Sequence, residues 1–134
     1  FNQPLNEWDV SNVKYMNNMF NSCESFNHPL NKWDVSNVIH IYAIFENCES
    51  FNQDISEWNV SKVEDMERMF TGCKLFNQDI SKWDVSNVTD MRYMFYGCKK
   101  FNQPLNNWNV SNVKEKHGIF EYCSIEEKYK PKFN

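Results

Sequence analysis

The chain has 134 residues, of which 41% are hydrophobic and 16% aromatic, and its formal net charge at pH 7 is −4. This charge gives no overall attraction to nucleic acid or to an anionic membrane, so we expect neither as a partner. No run of about 18 apolar residues is present, which predicts that no segment inserts into a membrane. No signal peptide opens the chain, and because it begins with Phe1 rather than Met we expect a processed or partial chain.

A unit of 25 residues occurs five times between Phe1 and Ile125, without insertion or deletion. Such a period is typical of architectures in which each unit packs only on its neighbours. We number the repeat from its phenylalanine, so that Phe1 occupies position 1. The sequence predicts a repeat domain divided into residues 1–25, 26–50, 51–75, 76–100 and 101–125. A C-terminal cap or tail is expected over residues 126–134.

Two hydrophobic periodicities alternate within each unit. At positions 8 and 10, Trp and Val are two residues apart and share one face of an extended segment, which predicts a short strand near positions 7–10. In the fourth unit, Val88, Met91, Met94 and Cys98 are three to four residues apart, the spacing of one helical face. Ser86 precedes them as a candidate N-cap. The pattern predicts a short helix over positions 12–21.

The end of each predicted helix carries a residue suited to a left-handed backbone. Asn47, Gly72 and Gly97 all occupy position 22. Glycine and asparagine adopt positive φ more readily than other residues, and they commonly stand just after the last helical turn. These residues therefore predict the point at which each helix stops.

Strands and helices of unequal spacing would curve the stack. Neighbouring strands lie about 4.8 Å apart, whereas packed helices need about 8–10 Å. The sequence therefore predicts an α/β fold, a solenoid of five 25-residue coils. Short parallel strands would line its concave side and short helices its convex side.

The register Val88-x-x-Met91-x-x-Met94-Phe95-x-x-Cys98-x-x-Phe101 resembles that of the BspA-like (Treponema-type) leucine-rich-repeat surface proteins. The phrase Phe-Asn-Gln-Pro-Leu-Asn-x-Trp-Asn-Val-Ser-Asn-Val, at residues 101–113, is similar to one subgroup. That subgroup occurs in mycoplasma and Listeria surface proteins and in large DNA viruses. The resemblance covers about residues 1–125. It implies a leucine-rich-repeat-like fold and a role in binding or assembly, with adhesion as the role on bacterial surfaces.

Among the repeat positions that carry the same residue in every unit, we interpret three as structural ladders. The members are Asn2, Asn27, Asn52, Asn77 and Asn102; Trp8, Trp33, Trp58, Trp83 and Trp108; and Cys23, Cys48, Cys73, Cys98 and Cys123. A ligand-binding row of asparagines, a stacking platform of tryptophans and a disulfide or redox column of cysteines are the less favoured alternatives. One cysteine per unit favours a reducing compartment or a virus particle over the disulfide-forming extracellular space.

Positions 7 and 9 vary in charge between units and flank the tryptophan on the opposite face of the predicted strand. They are a candidate protein-binding face or, equally, a solvated surface without a partner. The residues are Glu7, Asp9, Lys32, Asp34, Glu57, Asn59, Lys82, Asp84, Asn107 and Asn109.

The sequence offers no candidate catalytic set, metal site or cofactor site. His28, His40 and His117 occupy three different repeat positions, so they are not expected to converge. Close Cys pairs of the zinc-binding type and the glycine-rich signature of calcium-binding β-rolls are both missing. We therefore expect no enzyme activity, no metal and no cofactor.

The favoured function is a non-enzymatic scaffold that binds a protein partner through its concave face or its ends. One alternative is a structural component of a virion or surface assembly, and another is a fragment of a cell-surface adhesin. Self-association is also expected through the first unit, because Phe1, Leu5, Trp8 and Val10 would be uncovered there.

Overall fold

The computed structural model describes residues 1–133, and in it the five repeats form a stack of five coils. We call them coils 1 to 5 in chain order. Within these residues, the one segment of regular secondary structure is a 3₁₀ helix at Glu127–Tyr129. The predicted α/β leucine-rich-repeat solenoid is therefore wrong, and so are its concave strand side and its convex helical side.

Each coil is a succession of β-turns. In coil 3, the backbone N–H of Trp58 donates to the carbonyl oxygen of Ile55, three residues earlier, at 3.1 Å. Further along, the N–H of Thr71 donates to the carbonyl of Arg68 at 3.2 Å. Bonds between residues three apart close β-turns rather than α-helical turns, in which the bonded residues are four apart.

Two repeat positions hold every positive-φ residue of the described chain. Positions 18 and 22 have φ between 54° and 72° in all five coils. In coil 3 these residues are Arg68 and Gly72, and each is the third residue of a turn, where type II geometry requires positive φ. The left-handed backbone predicted at Asn47, Gly72 and Gly97 is therefore present, but it belongs to turns and ends no helix.

Backbone hydrogen bonds join each coil to the next along positions 14–22, which we call the turn ladder. From coil 3 to coil 4, the N–H groups of Met66, Arg68, Phe70 and Gly72 donate to carbonyls of coil 4 at 2.8–3.0 Å. The same register recurs at all four junctions, and one parallel bridge per junction lies at position 15. Backbone groups that a helix would satisfy internally are thus satisfied by the neighbouring coil.

Aromatic stacking explains why helices do not form over positions 12–21. The Phe70 ring lies between those of Phe45 and Phe95, with centroid distances of 5.8 and 5.5 Å. This spacing is too small for helices, which need about 8–10 Å between axes. Successive turns also place apolar side chains three to four residues apart, so the sequence pattern did not distinguish turns from a helix.

The predicted strand near positions 7–10 is also absent, because side chains replace its backbone pairing. The indole Nε1 of Trp33 donates to the carbonyl of Leu5 in the preceding coil at 2.9 Å. The N–H of Lys32 donates to Asn6 Oδ1 at 2.9 Å. Tight turns on either side of the tryptophan leave no extended run that could pair with a neighbour.

The core is a line of side chains through the middle of the stack. In coils 2 to 4, the apolar residues at positions 1, 5, 8, 10, 13, 16, 19, 20 and 23 are buried. Each of these side chains lies against its equivalents above and below, so the coils stabilise one another rather than folding alone.

The residues after coil 5 cover part of its outer face. The N–H of Glu126 donates to Asn102 Oδ1 at 2.9 Å, and the N–H of Leu105 donates to the carbonyl of Tyr129 at 2.8 Å. Ile125 and Pro131 are buried. Residues 126–133, which we call the tail, therefore lie where a sixth coil would begin; the last residue of the predicted cap, Asn134, lies outside the described residues.

Replacing Ser22 by glycine tests the left-handed position directly. Ser22 is exposed, has φ of 63°, and corresponds to Gly72 and Gly97. We expect Ser22→Gly to raise the free energy of unfolding by up to about 1 kcal/mol, because glycine adopts positive φ without strain. Urea denaturation provides the measurement. Ser25→Gly, at an exposed residue whose φ is not positive, is the control and should give no gain; a loss of stability in Ser22→Gly would contradict the assigned backbone.

Candidate functional site

The ten residues at positions 7 and 9, which we call the polar row, are exposed in all five coils. They lie on turns rather than on a strand face. At position 9 the side chain also has a local role: Asp84 Oδ1 accepts hydrogen bonds from the N–H and the hydroxyl of Ser86, at 3.0 and 2.6 Å. The equivalent bonds occur in every coil. Ser86 therefore belongs to an Asx turn and does not cap a helix.

Three position 9 carboxylates are stabilised in their ionised form. Hydrogen bonds from the serine two residues later lower the pKa of Asp9, Asp34 and Asp84. Because the folded-state pKa lies below the unfolded one, their contribution to stability is present above the unfolded pKa. It is lost as the pH falls through the folded value. Asn59 and Asn109 accept the same serine hydrogen bonds without titrating.

The polar row borders a shallow groove of about 170 Å³ between coils 3 and 4. Glu57 and Lys82 line it, together with Asp54 and Asp79, each of which accepts a hydrogen bond from a serine N–H at 2.9 Å. Sequence reasoning missed these two aspartates. The signal was present, because position 4 is proline in the other three repeats and aspartate in these two.

In the asparagine column, side-chain oxygens accept hydrogen bonds from the next coil. Asn27 Oδ1 accepts from the N–H of Asn52 at 2.9 Å and from Gln53 Nε2 at 3.0 Å. The same pair of bonds links coils 3 and 4 and coils 4 and 5. These side-chain oxygens hold one coil on the next.

The cysteine column is also engaged within the stack. Cys73 Sγ donates to the carbonyl of Phe45 in the preceding coil at 3.0 Å, and Cys48 and Cys98 make the equivalent bond. All five cysteines are free thiols. Burial raises the pKa of Cys48 to about 12 and also raises the pKa of Cys73 and Cys98. Thiolates at these positions are therefore scarce at neutral pH.

Native thiol labelling tests this arrangement. In the folded protein at pH 8, we expect Ellman's reagent to react readily only with Cys23 and Cys123, which are half-buried at the ends of the column. The three internal thiols should react only after denaturant is added, because thiolate and access are both required. Rapid labelling of all five thiols in the native protein would contradict the buried column.

A carboxylate cluster lies on the turn ladder. Asp65, Glu67 and Asp90 bring ligand oxygens within 4.8 Å of one another, a geometry that sequence reasoning did not find. The guanidinium of Arg92 lies at this cluster. Arg92 Nη2 is 2.6 Å from Asp90 Oδ2 and 3.4 Å from Glu67 Oε2. The hydrogen bond with Asp90 raises the pKa of Arg92. The cluster is therefore an internal ion-pair network.

These features define a class of repeat protein built from stacked coils of turns, with constant side chains inside and variable ones outside. The chain belongs to the family described as Mycoplasma protein of unknown function, DUF285, whose model matches residues 1–70 and 41–130. Members of the BspA-like family also contain sequence that matches this family model. The predicted resemblance is thus supported at the level of a mycoplasma repeat family. No curated protein and no solved structure matches the chain.

The structure describes no helix among residues 1–133 with the length and apolar character needed to cross a membrane.

Proposed function

We propose that this chain is a non-enzymatic binding module that contacts a protein partner through the polar row. The observation that supports the proposal is that the constant and the variable repeat positions differ in their contacts. The constant Asn, Trp and Cys columns are engaged in contacts between coils, whereas the ten side chains of the polar row are exposed and vary in charge. Variation on an exposed surface above a constant scaffold is how repeat proteins present binding surfaces.

The charge of the row favours a basic partner. It contains five carboxylates and two lysines, a net charge of −3. The two groove aspartates, Asp54 and Asp79, add to this negative charge beside Glu57. Complementary charge steers association and makes it depend on salt. A protein surface rich in lysine or arginine therefore fits the row best.

Charge reversal at Glu57 tests this proposal. Its side chain is exposed and lines the groove, so Glu57→Lys should leave the fold intact. We expect the partner captured by the wild-type chain to bind this variant at least tenfold more weakly, with a flatter dependence on salt. That change corresponds to about 1.4 kcal/mol. Isothermal titration with the purified partner provides the measurement.

A matched control makes the result specific to the row. Glu24→Lys changes the net charge by the same amount at another exposed position outside the row. Asp34→Asn removes a row charge but keeps the acceptor for Ser36, as Asn59 does for Ser61. If Glu57→Lys binds as tightly as the wild-type chain, or if Glu24→Lys loses as much affinity, the polar row is not the binding surface.

We further propose that the binding role is adhesion at a cell surface, the alternative that the resemblance to bacterial surface proteins implies. The family description names Mycoplasma, which favours the adhesin alternative over a virion component. Antibodies against the folded chain should then label intact cells of the source organism. Labelling that appears only after the cells are permeabilised would overturn this location.

A further inference from the structure

A recess of about 390 Å³ opens on the side of the stack, across coils 3 to 5. Its lining residues are Arg68, Thr71, Tyr93, Tyr96 and Glu121. They occupy positions 18 and 21 of the repeat, so none of them belongs to the polar row. The volume of the recess is in the range of sites that hold small ligands.

Two of the lining residues stand where the backbone favours other residue types. Position 18 has positive φ in every coil, with values of 55° at Arg68 and 56° at Tyr93. Coils 1 and 5 have Asn18 and Gly118 there, and both residue types adopt positive φ more easily. A side chain kept in an unfavourable backbone conformation points to a role beyond stability. The feature that Arg68 and Tyr93 share is the recess.

The Tyr93 ring is packed between two neighbours. The guanidinium of Arg68 lies over it, 4.8 Å from the ring centroid. In the next coil Gly118 leaves room for the ring, because a Cβ on that glycine would lie 2.6 Å from Tyr93 Cδ1 and Cε1. The Tyr96 ring stands at 76° to the Tyr93 ring, with the centroids 5.8 Å apart. The aromatic walls of the recess are therefore held in place by contacts within the stack.

The polar groups of the recess keep hydrogen-bonding capacity for a ligand. Arg68 lies 3.7 Å from Glu46 and 3.5 Å from Glu67 in two ion pairs, but its guanidinium donates no hydrogen bond to residues 1–133. The hydroxyls of Tyr93 and Tyr96 have no hydrogen-bond partner within the described chain either. Donors and acceptors thus converge on a recess with aromatic walls, the combination typical of ligand sites.

This combination fits a neutral sugar. An anion would meet the carboxylates of Glu46, Glu67 and Glu121, and a cation would meet the guanidinium of Arg68. Adjacent hydroxyls of a sugar ring match a guanidinium, which donates two parallel hydrogen bonds, and a carboxylate, which accepts two. The C–H groups of the same ring are apolar and pack against tyrosine rings.

We propose that the recess binds one sugar unit of a neutral glycan. Arg68 and Glu121 hold the hydroxyls of the sugar, and Tyr96 packs against its C–H groups. The site uses repeat positions 18 and 21, whereas the polar row uses positions 7 and 9. The chain therefore contacts a glycan and a protein partner through different residues.

Saturation-transfer difference NMR tests the proposal with the methyl glycosides of glucose, galactose, mannose and N-acetylglucosamine. We expect transfer from the protein to the ring protons of at least one glycoside. Arg68→Asn should weaken that binding by about tenfold. It should unfold at about the same urea concentration as the wild-type chain, because asparagine tolerates positive φ and already stands at position 18 in coil 1. Tyr96→Thr, which has a threonine equivalent in coil 3, should weaken binding to a similar extent.

Tyr42→Asn is the matched control. Tyr42 is a half-buried tyrosine of the turn ladder outside the recess, and its equivalent in coil 1 is Asn17. This variant should bind the glycoside as the wild-type chain does. Acetyl-trialanine amide, a neutral peptide that also carries donors and acceptors, should show no transfer.

Four results would each overturn the proposal. They are no transfer to any of the glycosides, undiminished transfer in Arg68→Asn or Tyr96→Thr, an equal loss in Tyr42→Asn, and equal transfer to the peptide. Protection of the buried Cys73 thiol verifies that each variant is folded, and a variant that passes is judged by itself. Glu57→Lys should leave glycoside binding unchanged, so the recess and the polar row are tested separately.

Discussion

Phe70→Ala should lower the free energy of unfolding by about 3–5 kcal/mol, the cost typical of truncating a buried phenylalanine. The Phe70 ring is fully buried and stacks on four others. Its centroid lies 4.2 Å from that of Phe76, and it also contacts Phe45, Phe95 and Trp83. Removing it opens a cavity at the centre of the stack, where neighbouring coils cannot close it without breaking the turn ladder. Guanidinium denaturation measures the loss.

The same substitution at the end of the stack is the control. Phe120 is only partly buried and stacks on Phe95 at 5.7 Å, with no coil beyond it. We expect Phe120→Ala to cost less than half as much as Phe70→Ala. Equal costs at the two sites would show that the rings do not act through stacking between neighbouring coils.

Ala43→Pro should lower the free energy of unfolding by at least about 3 kcal/mol. Ala43 has φ of 54°, which proline cannot adopt. Its N–H also donates to the carbonyl of Glu67 at 2.8 Å, and proline lacks this donor. The substitution therefore breaks both the turn and one bond of the ladder. The loss is measured by thermal unfolding followed by circular dichroism.

Two further variants separate these causes. Ala43→Gly keeps the donor and permits positive φ, so it should cost no more than about 1 kcal/mol, chiefly from the lost buried methyl group. Asp79→Pro places proline at position 4, where Pro29 and Pro104 already stand, and should also be mild. An Ala43→Pro protein as stable as Asp79→Pro would contradict the ladder.

The repeat and its register could be predicted from the sequence because every copy has the same length. Bonds between residues 25 apart, such as that from the N–H of Asn52 to Asn27 Oδ1, follow that register. The left-handed residues could be predicted at Asn47, Gly72 and Gly97, since their side chains tolerate positive φ. The same conformation at Arg68 and Tyr93 could not, because these residue types rarely adopt it and the ladder imposes it on them.

Turns were mistaken for helices because both place apolar residues three to four apart. The stacking of the aromatic columns distinguishes turns from helices. A tryptophan at the same position of every repeat stacks on the next, as Trp58 and Trp83 do at 6.5 Å. That distance leaves no room for a helix in each coil.

The candidate site was predictable in its position but not in its geometry. Variation at positions 7 and 9 identified exposed residues, and all ten are exposed. The Asx turns formed by Asp84 and its equivalents were not foreseen, because Ser86 was assigned to a helix cap that does not exist. A side chain that holds its own turn keeps a fixed direction, so the position 9 members of the polar row are better oriented than freely solvated side chains.

Hydrogen-bond scalar couplings measured by NMR test the turn ladder most directly. The amide nitrogens of Arg68, Phe70 and Gly72 should couple to the carbonyl carbons of Arg92, Met94 and Tyr96 in the next coil. An α-helix would instead couple each of these nitrogens to the carbonyl four residues earlier, in Glu64, Met66 and Arg68. Couplings across the coil junction are the result predicted here, and couplings within the coil to residues four earlier would contradict it.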